Sequence, residues 1–104
     1  MLKCDVRSVS KEEIMLEVHG TLMGMESTEF FQKNLESASS KDSTVVTLNL
    51  TDVDAINSSC IGKIFLFQKR LEEQGRKIQI RGCSDALHKT FQLIKLEQLI
   101  SIER

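Results

Sequence analysis

The run Thr44-Val45-Val46-Thr47-Leu48-Asn49-Leu50 constrains the fold more than any other segment. It is rich in β-branched and aliphatic side chains and contains neither Gly nor Pro, so it suits a pleated strand at the centre of a sheet. Helical patterns flank it on both sides. Upstream, Ser27 is a capping residue, and Phe30, Phe31, Asn34, Leu35 and Ala38 follow at helical spacing until the polar stretch Ser39 to Ser43. Downstream, Ser58 to Gln74 reads as the longest helix. Its residues Ile61, Ile64, Phe65, Gln68 and Leu71 fall mostly on one face, which Leu66 and Phe67 widen. Gly75 is a natural left-handed stop for it. A strand set between helices calls for parallel neighbours joined by right-handed crossovers.

The remaining segments extend this pattern. Leu2 to Ser8 and Glu13 to Val18 read as strands, and in the second Ile14, Leu16 and Val18 alternate with Met15, Glu17 and His19. The short polar turn Ser10-Lys11-Glu12 between them predicts a β-hairpin. Ile78 and Ile80 alternate with Gln79 and Arg81 in a further strand. Ser84 to Lys95 reads as a helix with Leu87, Phe91 and Ile94 on its core face, and Leu99 to Ile102 as a last short strand. The predicted order is β-β-α-β-α-β-α-β. It describes a single α/β domain over residues 1–104, with a mostly parallel sheet and an N-terminal β-hairpin.

Composition excludes several classes of function. Fourteen Lys and Arg against fifteen Asp and Glu leave a net charge of −1, so nothing draws the chain to nucleic acid or to anionic lipid. With no Trp or Tyr and only five Phe, it lacks stacking platforms for single-stranded nucleic acid. No stretch approaches the roughly 20 apolar residues of a membrane span, and the charged N-terminus has no apolar signal core. Membrane insertion is not expected. Cys4, Cys60 and Cys83 are odd in number and widely spaced, which suits reduced thiols in the cytoplasm.

Catalytic constellations are not visible either. His19 and His88 have no Cys or acidic neighbour at metal-ligand spacing. Glu12-Glu13 and Glu72-Glu73 are adjacent pairs whose members point apart. There is no phosphate-cradling glycine loop and no C-x-x-C. No metal or cofactor is expected, and no enzymatic activity. An enzyme using the Ser58-Ser59 edge would lack a base and an oxyanion partner.

One segment retains chemical interest: the junction Asp52 to Gly62 between the central strand and the longest helix. In a parallel sheet this is the carboxyl edge of a strand, where open α/β folds place their sites. Asn57 or Ser58 can simply cap the helix. Alternatively, a phosphate on Ser58 or Ser59 would lie in the favourable field of the helix start. Cys60, in the first turn, is either an inert buried thiol or one acidified by the helix dipole.

Asn57-Ser58-Ser59-Cys60-Ile61-Gly62 resembles the Asp-Ser-Ser-Gly-Leu-Gly signature of STAS-domain anti-sigma factor antagonists. Val18-His19-Gly20-Thr21-Leu22 is similar to that family's strand ending in a Gly-x-Leu turn. Gln74 to Ile80 resembles its glycine turn into the next strand, and Phe91 to Ile102 its closing helix and strand. The resemblance covers nearly the whole chain. It implies a four- to five-stranded sheet with helices packed on one side, and regulation by partner switching. The unphosphorylated domain binds an anti-sigma factor that is itself a serine kinase, phosphorylation of the second serine breaks the complex, and a serine phosphatase restores it. Carried over, the acceptor is Ser59, with Ser58 the lesser choice.

The partner surface implied comprises Asn57, Ser58, Ser59 and Cys60. Met23 and Met25 join it if the turn after Gly20-Thr21-Leu22 lies near Ser59; otherwise they plug the core edge. Three positions depart from the family pattern. Asn57 stands for Asp, Cys60 for the first Gly, and Met23 for a frequent acidic residue. The expected function is that of an anti-sigma factor antagonist in transcription regulation, a monomer or weak dimer. Asn57 and Cys60 favour the alternative, a STAS scaffold subunit of a stress-signalling or lipid-transport complex that is not phosphorylated.

Overall fold

The computed structural model describes residues 2–104. Its elements follow the predicted order: β1 (Lys3–Ser8), β2 (Glu13–Leu22), α1 (Met25–Ser39), β3 (Val45–Ile56), α2 (Ser58–Glu73), β4 (Lys77–Cys83), α3 (Asp85–Leu93), a 3₁₀ turn (Leu96–Gln98) and β5 (Ser101–Glu103). The five strands form one sheet in the order β1-β2-β3-β4-β5. β1 and β2 are the antiparallel hairpin, and every other pairing is parallel. β3, which contains the aliphatic run, is the central strand.

The sheet has one apolar face. Leu16 and Val18 of β2, Val46, Leu48 and Leu50 of β3, and Ile78 and Ile80 of β4 are buried in one core with Phe31 and Leu35 of α1, Ile64 and Phe67 of α2, and Leu87 and Phe91 of α3. The helices therefore gather on that side. The other face is polar. It carries the Arg7–Glu17 and Arg81–Glu103 ion pairs. Thr47 donates to Glu13 at 2.6 Å and accepts from Gln79 at 3.0 Å, a chain that satisfies the buried hydroxyl.

Three register shifts shape the carboxyl edge. Between the pairs Glu17–Asn49 and His19–Asp52, and again between Gly20–Val53 and Leu22–Ile56, β3 spends one more residue than β2. Such bulges reverse the inward-outward alternation. Leu50 and Val53, three residues apart, are both core, while Asp52 and Asp54 are exposed. On the polar face they meet His19 and Thr21, at 2.8 Å and 2.7 Å. In β4 the extra residue falls between Ile80 and Cys83 and includes Gly82, at φ +93°.

Several expected boundaries move for physical reasons. The segment Asp52 to Ile56 belongs to β3 and not to a loop, because the bulges hide its strand periodicity. β2 likewise continues past Val18 to Leu22, through Gly20 at φ +124°. α1 begins at Met25, before Ser27, since Gly24 at φ +89° turns the chain in place of a side-chain cap. α2 buries Ile64, Phe67 and Leu71 as expected and Cys60 besides, whereas Ile61, Phe65 and Gln68 lie on the flanks of this stripe and Leu66 is exposed. α3 ends at Leu93, and Ile94 is 40% exposed, not core. Lys95, at φ +60°, turns the chain so that Leu96 fills the core position instead.

Arg76 ties the far end of the molecule together. Its guanidinium donates to the backbone carbonyls of Ser39, Lys41 and Ser43, closing the end of α1 against the start of β4.

Gly82 generates a prediction. A Cβ there would collide with the Thr51 side chain and lie 3.0 Å from Asn49 Oδ1, on a backbone that side chains rarely adopt. Gly82→Ala is expected to lower the stability measured by urea denaturation by about 1–3 kcal/mol. A variant as stable as the parent would show that the bulge relaxes freely.

Candidate functional site

The site is built where β3 runs out. The Asn57 N–H donates to the Leu22 carbonyl at 2.8 Å, fixing the end of β3 to the end of β2. Its backbone is extended, and its side-chain oxygen accepts from the Cys60 N–H at 2.7 Å, the geometry of an N-cap. Its amide nitrogen donates to Thr28 Oγ1 at 3.2 Å, and Thr28 in turn donates to the Gly24 carbonyl at 2.9 Å. One amide thus anchors the start of α2 to the first turn of α1.

This arrangement distributes the predicted residues. Asn57 is the cap, which leaves Ser58 without that duty. Ser58 and Ser59 are both exposed. Ser59 opens onto a cleft of 460 Å³ between the two helices. Ser59 and Lys63 come from α2, Met25, Glu29 and Gln32 from α1, and Asn57 lies at the junction. Met23 and Met25 are 50% and 78% exposed, so neither plugs the core edge. Met25 shares the cleft with Ser59, whereas Met23 stays on the adjoining turn.

Cys60 follows the first of its two readings, the inert buried thiol. Its side chain is fully buried, packed within the core, and presents nothing to a partner. Nor is it acidified: burial pushes its thiol up, and the Thr28 hydroxyl and the Lys63 ammonium only partly oppose this. Burial is the largest of these effects. Cys83 is raised for the same first reason, and Cys4 is pushed up to about 11 by burial and then by Asp5.

His19 acquires acidic neighbours that its local sequence does not show. Asp52 lies 2.8 Å from Nδ1 and Asp5 4.0 Å from Nε2, each on an adjacent strand. Among the described residues no group of three or more His, Cys, Asp or Glu side chains is placed to hold a metal ion. Among them, too, no helix is long and apolar enough to cross a membrane. Lys63, Glu29 and Gln32 escaped the sequence reading. The spacing of four residues between Ser59 and Lys63 was the available signal, since it places both on one helix face.

A mixed sheet with one helical layer, and an exposed serine at the first helical turn after the central strand, define a small α/β domain. The sequence model of the family described as "Mlab, STAS domain" matches residues 6–101. The chain belongs to the STAS domain family. Solved structures agree on the fold. It is similar to the anti-sigma factor antagonist SpoIIAA in its unphosphorylated form, at 17% identity and a TM-score of 0.80 over 98% of this chain and 89% of that one. An anti-sigma factor antagonist from Mycobacterium paratuberculosis aligns at 11% identity and a TM-score of 0.86, over 99% and 86%. The Bacillus cell fate determinant SpoIIAA in its phosphorylated form aligns at 17% and 0.74, over 98% and 92%. No match was found among curated protein sequences.

The junction and the thiols each generate a prediction. Asn57→Ala removes the cap and the bridge to Thr28 together, and is expected to lower stability by about 1 kcal/mol, up to about 2. Equal denaturation midpoints for variant and parent would contradict the anchoring role. The thiols set a pH dependence. Below the ordinary thiol range both folded and unfolded states are protonated, and stability is complete. At higher pH the unfolded chain loses protons that the folded chain retains, so stability falls. For Cys4 the window runs from 9.0 to about 11. Urea midpoints measured across it should decline, with a shallower slope in Cys4→Ala.

Proposed function

We propose that this chain is an anti-sigma factor antagonist that works by partner switching. Unphosphorylated, it binds and sequesters a serine-kinase anti-sigma factor in the cytoplasm. Phosphorylation of Ser59 ends that binding, and a serine phosphatase restores it. The domain recognises protein and carries out no chemistry of its own. The observation that carries the reading is the exposed Ser59 hydroxyl, one residue into α2 and open to the cleft beside Met25. Membership of the STAS family and the SpoIIAA-like fold support it.

Charge explains the switch. A phosphate on Ser59 adds about −1.5 to −2. Within the domain the start of α2 tolerates it. Across an interface the partner must bury the group, and desolvating an unpaired charge costs several kcal/mol. At about 1.4 kcal/mol per tenfold change in affinity, a loss of a hundredfold or more is expected.

A specific observation favours a second reading, that of a scaffold subunit in a stress-signalling or lipid-transport complex. Asn57, neutral where the family pattern has an acid, has both ends of its amide committed to structure. Under this reading, the exposed edge binds its partner constitutively.

The test begins with affinity capture of the partner from native lysate and its identification by mass spectrometry. Binding is then compared for Ser59→Asp, Ser59→Ala and Ser58→Ala, with melting temperatures as the control for folding. Ser59→Asp is expected to fold normally and bind at least a hundredfold more weakly, while Ser58→Ala binds as the parent does. Undiminished binding by Ser59→Asp overturns the switch. A loss of binding with no phosphate at Ser59 in cells favours the scaffold.

A further inference from the structure

We infer that Lys63 is the internal counter-ion of a phosphate on Ser59, so that the modified serine folds back onto its own helix instead of standing free in solvent. The inference rests on the reading of Ser59 as a phosphate acceptor and adds to it the residue that regulates the modified state.

Three observations carry it. Ser59 and Lys63 are four residues apart on α2, the separation at which an anionic side chain and a lysine meet on a helix surface. The anion is on the N-terminal side, the favourable order. Second, both residues line the same cleft, so the ammonium and the hydroxyl share one solvent space. Third, the Lys63 ammonium lies close enough to the first turn of α2 to act on the Cys60 thiol there, lowering the pKa that burial raises. Among the described residues Lys63 makes no ion pair, so its charge is uncommitted while Ser59 is unmodified. An exposed helix start is common to many domains; the lysine one turn further along distinguishes this one.

The other charged group in the cleft is Glu29 of α1, which opposes an anion. The first turn of α2 contains no acid. Asp54, near the end of β3, accepts from Thr21 on the opposite face of the sheet. Lys63 is therefore the cation that offsets Glu29 and the incoming charge together.

The second ionisation of the phosphate reports the contact. A neighbouring cation favours the dianion and lowers this pKa from its ordinary value near 6. Phosphoserine is installed at position 59 of the full chain during translation, and its ³¹P chemical shift is followed against pH. An i,i+4 pair of ordinary strength predicts that Lys63→Gln raises the pKa by about 0.2–0.4 units, close to a twofold change in the protonation constant. Lys63→Arg should restore it, and 1 M salt should shrink the difference, because screening then acts over about 3 Å. Equal values for the parent and Lys63→Gln overturn the inference, as does a difference that Lys63→Arg fails to restore. Because the phosphate is placed by translation, the result does not depend on whether a kinase modifies Ser59 in cells. Failure here and failure of the switch are therefore separate outcomes.

Discussion

The structure depends on a sheet with only one apolar face. Parallel strands are usually buried on both sides. Here Ile14, Leu16 and Val18 of β2, Val46, Leu48 and Leu50 of β3, and Ile78 and Ile80 of β4 face the helices, and the opposite surface is mostly covered by polar side chains that pair with one another. This arrangement accounts for the alternation in Glu13–Val18 and Ile78–Arg81. It also confines the helices to one layer, which leaves the carboxyl edge of the sheet uncovered.

At the edge, a single asparagine holds the geometry. Asn57 fixes β3 to β2 through its backbone, α2 through its side-chain oxygen and α1 through its amide nitrogen. The two serines that follow are left free of structural work. Their exposure thus follows from the neighbour that has taken every local hydrogen-bonding task. Cys60, one residue further, turns into the core. The boundary between surface and interior falls between Ser59 and Cys60.

The element order and the central position of β3 were legible because they rest on β-branched runs and helical stripes, which local physics imposes directly. The junction was legible through its serines and its asparagine. What escaped detection depends on positive-φ residues and bulges. Gly24 starts α1 without a capping side chain, Lys95 ends α3 early, and the register shifts of β3 disguise the strand residues beyond Leu50. Pairings across strands, such as His19 with Asp52, were invisible because partners 33 residues apart leave no local pattern. The two readings of the Cys60 thiol stayed open for a related reason. Its position in a helix was readable, but its depth, which decides its chemistry, was not.

The first bulge of β3 also decides which side chains of this segment meet water. Between Leu50 and Val53 the strand carries one residue beyond simple alternation, and Asp52 points to water only because of it. Regular pleating through the same residues would rotate everything beyond Leu50 by half a turn. Val53 would face solvent, and the Asp52 carboxylate would be driven into an apolar core. A strand that breaks its own pattern thus keeps its acids out of the interior.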